Sequence, residues 1–191
     1  MRIFSVLCAA VLTALGATGC STPVVVSEVL QQPIDAPIYT KYNLWYGDPE
    51  AVSSLNIQQG RILPVGTKVE IIEATDKKLR FKTEDGAVYQ IDFDSGMWMC
   101  SMREFIQNYL TLEPPSKIFA GVRPDKLSFV KRGEAVPGMT REEVLIAYGP
   151  PPTARTPSRK NETWIYFVTP HDAIRVVFRD NIIRNIINPN E

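Results

Sequence analysis

The sequence predicts an α+β protein in two modules, a small antiparallel β-barrel followed by helices and three further strands, behind a short apolar leader. Three patterns carry this expectation: hydrophobic alternation of period two between residues 40 and 100, a capped helical stretch from Thr140 to Gly149, and strand-like runs between Thr163 and Ile187.

Arg2 supplies a positive start, residues 3 to 15 an apolar stretch, and Ala17, Thr18 and Gly19 lead small residues up to Cys20. A membrane-spanning helix needs ~20 apolar residues. This shorter run, ending in small residues, predicts a cleaved signal peptide over 1–19. The run resembles a bacterial lipoprotein signal, with Ala17 where a large aliphatic is usual; the alternative is an ordinary secretory signal and an incidental cysteine. The resemblance implies that Cys20 is acylated, palmitate included. Ser21 in place of Asp after it implies sorting to the periplasmic face of the outer membrane.

The whole chain balances 21 Lys plus Arg against 21 Asp plus Glu. Loss of residues 1–19 removes Arg2 and no acid, leaving 20 against 21 in 172 residues. Phosphate backbones demand a clear basic excess, so nucleic acid is not an expected partner. Cys8 departs with the leader and Cys20 is acylated, which leaves Cys100 as the single free thiol and excludes an intramolecular disulfide.

Residues 20–39 read as a lipidated tether. Pro23, Pro33 and Pro37 interrupt them without a sustained period, and at ~3.1 Å per residue of extended backbone residues 21–38 would reach about 55 Å. From 40 to 100, Val69 and Ile71, Leu79 and Phe81, and Ala87, Tyr89, Ile91 and Phe93 alternate with polar or outward positions. Asp85 and Gly86 supply a hairpin turn. With Leu63, Pro64, Val65, Gly66 and Thr67 leading into a strand, the stretch resembles a bacterial SH3-like barrel. Tyr42, Trp45 and Tyr46 and the basic hairpin Lys77, Lys78, Arg80 and Lys82 form a candidate ligand surface for glycan or anionic lipid headgroups; a plugged barrel end and a solvated strand face are the alternatives.

A helix and linker are expected over 101–124. Ser101 and Glu104 have capping-box spacing, and Met102, Phe105, Ile106, Tyr109 and Leu110 recur on one face until Pro114 and Pro115. Asp125 to Lys131 reads as a short helix with Leu127 and Val130 inward. Thr140 then caps a second helix with Glu143 as its box partner, Met139 and Val144 are placed as a hydrophobic staple, and Gly149 suits a left-handed C-terminal cap before Pro150 and Pro151. Strands follow at Thr163 to Val168, Ile174 to Phe178 and Ile182 to Ile187, with turns at Pro170 to Asp172 and Arg179 to Asn181.

This order of Gly138, Met139, Thr140, helix, Gly149 with Pro150, a long loop, Trp164 with Tyr166, and Val176 with Phe178 resembles the BamE-like domain, also called the SmpA/OmlA domain, over residues 125–191. The resemblance implies two helices packed on a three-stranded antiparallel sheet. It also implies envelope proteins, including the β-barrel assembly machine, as partners, and a binding surface on the exposed sheet and loops. Arg155, Arg159 and Lys160 are the candidate partner contacts. The 80 or so residues ahead of the domain depart from the family's type member.

Catalysis, metals and cofactors are not expected. His171 is the single histidine and stands in a turn, and neither it nor Cys100 sits in a nucleophile motif. Asp92 and Asp94 alternate as a glycosidase pair might, but solvent exposure near a turn explains them more simply. The expected function is a non-enzymatic, outer-membrane-anchored interaction module supporting envelope assembly or integrity; the alternative is a module that binds cell-wall glycan or anionic lipid. Because a serine hydroxyl cannot take the thioether-linked diacylglycerol, Cys20→Ser should abolish labelling by a clickable fatty acid. Equal labelling of variant and wild type would refute the anchor.

Overall fold

Alternating apolar side chains in the N-terminal half build a curled six-stranded sheet. The computed structural model describes residues 21–188. The leader and Cys20 lie outside the described residues. In chain order the first elements are α1 (Val26–Leu30), β1 (Ile38–Thr40), β2 (Leu44–Tyr46), β3 (Val52–Ser53), β4 (Arg61–Leu63), β5 (Lys68–Ala74), β6 (Lys78–Thr83), β7 (Val88–Asp92), α2 (Ser95–Trp98), α3 (Met102–Tyr109) and β8 (Leu110–Thr111). The sheet order is β3-β7-β6-β5-β1-β8, and β2 pairs with β4 separately. The β3 and β7 strands run parallel, which makes the sheet mixed where an antiparallel one was expected. Leu79, Phe81 and Ile91 are fully buried on its inner face. At the Asp85–Gly86 turn, Gly86 takes φ +84° and its N–H donates to the Thr83 carbonyl.

One boundary expectation needs correction. The tether expected over residues 20–39 is, from residue 21 where it is described, not extended. Pro23 bridges to Thr75, the Val24 N–H donates to the Ala74 carbonyl at 2.9 Å, and Val26 and Val29 of α1 enter the core. The physical reason is the apolar run from Val24 to Val26 with Val29 one turn on: burying such side chains contributes ~1.5–3 kcal/mol each, and the prolines merely delimit the short helix. The helix expected from Ser101 forms, and its buried face belongs to the N-terminal unit. The Ser101–Glu104 capping box forms, and Met102, Phe105, Ile106 and Tyr109 are buried in the same core as the sheet. Leu110 then pairs with Thr40 as the edge strand β8. The N-terminal unit thus runs to about Thr111, and Phe105, Trp98, Phe93 and Tyr109 form its aromatic centre.

The second unit contains α4 (Pro115–Ile118), a 3-10 turn (Phe119–Gly121), α5 (Leu127–Lys131), α6 (Arg141–Tyr148), β9 (Thr163–Phe167), β10 (Ala173–Arg179) and β11 (Ile182–Ile187). Its three strands are antiparallel in the order β11-β10-β9. Asp180 and Asn181 both take positive φ at the tight β10–β11 turn, as the right-handed twist of a hairpin favours. Trp164, Val176 and Phe178 face the helices with Val130, Met139, Val144 and Ala147, all but fully buried. The Trp164 and Phe178 rings lie 4.7 Å apart, and the Arg141 guanidinium stacks over both. Gly138 to Arg141 runs beside β11 and satisfies part of its open edge through Ile183.

The two units are joined at the C-terminal end of α6. A helix end leaves its last carbonyls without intrahelical partners, and here each finds a named donor. The Asn43 N–H donates to the Ile146 carbonyl and its Nδ2 to those of Ala147 and Val130; Asn56 Nδ2 donates to the Tyr148 carbonyl and the Tyr166 hydroxyl to that of Gly149. The amide oxygens are used too, Asn43 Oδ1 accepting from the Val65 N–H and Asn56 Oδ1 from the Trp45 N–H. Gly149 takes φ 77° and ψ −178°, which is not the expected left-handed cap. That conformation belongs essentially to glycine, and a Cβ there would stand 2.6 Å from the Tyr42 ring. Asn56→Ala removes three hydrogen bonds and leaves their partners buried. It should cost about 3 kcal/mol, read as a lower urea midpoint; a midpoint within error of wild type would show that the junction does not hold the fold.

Candidate functional site

The junction leaves a groove on one side. A cleft of about 340 Å³ is walled by Ile118, Leu145, Ile146 and Pro150, with Lys41 and Arg159 contributing cations from opposite units. Pro150 to Pro152 end α6, after which the loop is held rather than free: the Ala154 N–H donates to the Met97 carbonyl, the Ile165 N–H to Thr156 Oγ1, and the Trp164 indole and Arg141 guanidinium to the Arg159 carbonyl. Arg159 in turn donates from Nη2 to Asn108 Oδ1 at 2.8 Å, and the Lys41 ammonium donates to the Gln107 carbonyl. Burial lowers the Lys41 pKa, and the like charge of Arg159 acts in the same direction, against the attraction of Glu113. A second cleft of about 300 Å³ shares Asn108, Pro150 and Arg159 and is lined by Trp98, Cys100 and Pro157. Burial raises the Cys100 thiol pKa, the opposite of nucleophile activation.

A second candidate surface is the face of the C-terminal sheet turned away from the helices. Ile165, Val177 and Ile187 are half-buried there, and Arg175, Arg179 and Arg184 are exposed. The three strands contain no carboxylate. Arg155 borders this face, its guanidinium 5.9 Å from the Phe167 ring.

The expected partner contacts therefore separate. Arg155 joins the sheet face, Arg159 lines the groove, and Lys160 is exposed in the same loop directly after Arg159. The expected aromatic and basic ligand surface does not assemble. Tyr42 is 3% exposed and packs edge-on against Tyr109 at 5.0 Å. Trp45 lies against Gly133, with its indole nitrogen buried. Trp45 and Tyr46 are both half-buried and line one cleft, Tyr46 under the Arg61 guanidinium. On the hairpin, Lys78 pairs with Glu73 and Lys82 with Glu70 at 3.0 Å, because acids of β5 stand opposite bases of β6. Lys77 and Arg80 have no ion pair among the described residues. Asp92 accepts from Gln90 while Asp94 leaves the strand to cap α2, so no carboxylate pair forms. His171 stands in the exposed β9–β10 turn, outside the cleft that Cys100 lines. Among the described residues no group of His, Cys, Asp and Glu could hold a metal, and no helix is long and apolar enough to cross a membrane. Lys41 and Asn108 carry no motif, and only their position at the junction marks them.

No protein-family model matches the chain, and neither a curated protein nor a solved structure matches it.

One wall of the groove, α6, is anchored by an ion pair. The Glu143 side chain is 1% exposed and receives Arg123 Nε and Nη2 at 2.9 and 2.6 Å together with the N–H groups of Arg123 and Thr140. Burial opposes its charge, yet the guanidinium and these N–H donors outweigh burial and hold the carboxyl below its usual 4.5. A depressed carboxyl contributes stability that is complete above the unfolded value and lost as pH falls through the folded one. The melting-temperature gap between wild type and Glu143→Gln should thus be widest near neutral pH and narrow below 4.5. A gap independent of pH would exclude the charge as its source.

Proposed function

We propose that this chain is an outer-membrane lipoprotein, anchored through Cys20 on the periplasmic side, that binds other envelope proteins and supports outer-membrane assembly or envelope integrity without catalysing a reaction. The observation that carries the reading is the outer face of β9, β10 and β11: half-buried aliphatics among three exposed arginines, with no carboxylate on the strands. Such a face complements an apolar patch bordered by acids on a partner protein. The residue order shared with the BamE-like domain agrees with two helices on a three-stranded sheet, and the β-barrel assembly machine is the partner class it suggests. The SH3-like reading of the N-terminal sheet remains part of the same proposal. The alternative, glycan or anionic-lipid binding by the N-terminal unit, is weakened by the burial of Tyr42 and the pairing of Lys78 and Lys82.

Exposed charges contribute little to folding, so Arg175→Glu with Arg179→Glu should keep the wild-type melting temperature while lowering recovery of cross-linked envelope proteins several-fold. Recovery of every partner at wild-type levels would remove the sheet face from the proposal. Retention of the wild-type chain on purified peptidoglycan, unaffected by this charge reversal, would favour the alternative.

A further inference from the structure

We infer that the groove between the two units is a binding site for an oxyanion, a carboxylate or phosphate, carried on a small branched apolar group. This goes beyond the protein-binding reading and does not depend on it, since the groove and the outer sheet face are different surfaces.

The cations are placed by the fold and not by each other. Lys41 follows β1 in the first unit, Arg159 sits in the loop after α6 in the second, and the two line one cleft of about 340 Å³. Neither forms a salt bridge among the described residues. Their side-chain hydrogen bonds go to neutral acceptors, the Gln107 carbonyl and the Asn108 amide, so Arg159 commits Nη2 and keeps other guanidinium donors available. Holding two like charges at a partly desolvated place is unfavourable, and an anion seated between them relieves that repulsion while accepting charge-assisted hydrogen bonds.

Glu113, Lys117 and Glu142 line the same cleft, and among the described residues neither carboxylate forms a salt bridge with Lys41 or Arg159: Glu142 Oε2 accepts from Asn181 Nδ2 at 3.0 Å, and Glu113, which attracts Lys41, is exposed. The remaining wall selects the rest of the ligand. Ile118, Leu145, Ile146 and Pro150 present aliphatic surface, and the volume accommodates a leucine-sized side chain next to the anion.

Three probes separate the parts of the proposal by calorimetric titration of the full-length chain in detergent micelles: N-acetyl-leucine, its neutral amide, and inorganic phosphate. N-acetyl-leucine should bind, with the amide at least about tenfold weaker and phosphate weaker than the acid for want of the apolar group. Lys41→Met and Arg159→Met should each weaken the acid by about tenfold, while Lys41→Arg retains binding. Equal binding of acid and amide overturns the anion site, and this comparison uses the wild-type chain, so it decides even where a substitution disturbs folding. Phosphate binding as tightly as N-acetyl-leucine overturns the apolar half. The absence of heat with all three probes overturns the inference altogether.

Discussion

The structure depends on how the C-terminal end of α6 is satisfied. That end is buried between two units, where water cannot serve its carbonyls, and an unpaired buried carbonyl costs ~1–3 kcal/mol. Two asparagines from the first unit meet the requirement, Asn43 reaching α5 and α6 together and Asn56 reaching Tyr148 while also holding the Asn43 carbonyl. An amide side chain suits the place because it donates and accepts at once: each also fixes a backbone N–H of its own unit, at Val65 and Trp45. The halves are therefore joined by directional polar contacts in addition to apolar burial, and this sets their relative orientation.

The groove is a consequence of that orientation. With Tyr42 seated against Gly149 and Tyr109, the chain after α6 must leave through Pro150 and Pro151 and pass across α3, where Arg159 finds Asn108. The loop is long in sequence yet tied at its middle to β9, through Thr156 to the Ile165 N–H and through the Arg159 carbonyl to the Trp164 indole. A cation thereby arrives opposite Lys41 from more than a hundred residues away. The sheet face, in contrast, owes nothing to the junction, because its arginines follow from period-two alternation within β10 and the bulge in β11.

These two surfaces are chemically different. The sheet face is open and carries arginines without carboxylates, whereas the groove sets three cations and two carboxylates against aliphatic walls. The buried Glu143 with Arg123 supports both, since it fixes the start of α6, whose body carries the sheet on one side and lines the groove on the other.

Local chemistry was legible in the sequence wherever it is decided within a few residues. The capping boxes at Ser101 and Thr140 form as spaced, because a side-chain oxygen reaching an N–H three residues on needs no tertiary partner. The three C-terminal strands fall almost where alternation puts them, since one buried face imposes that period. Tertiary structure decided what the spacing leaves open. Val26 and Val29 belong to the core only because α3 and β5 offer them a surface, so a proline-spaced segment became a packed helix. Tyr42 became a spacer at the junction in place of a ligand platform, and two of the four bases of the hairpin, Lys78 and Lys82, were paired by acids one strand away. Asn43, Asn56, Lys41 and Asn108 carry no local signature, because a hydrogen bond or a charge pair across many residues of chain depends on three-dimensional proximity, which no short window of sequence contains.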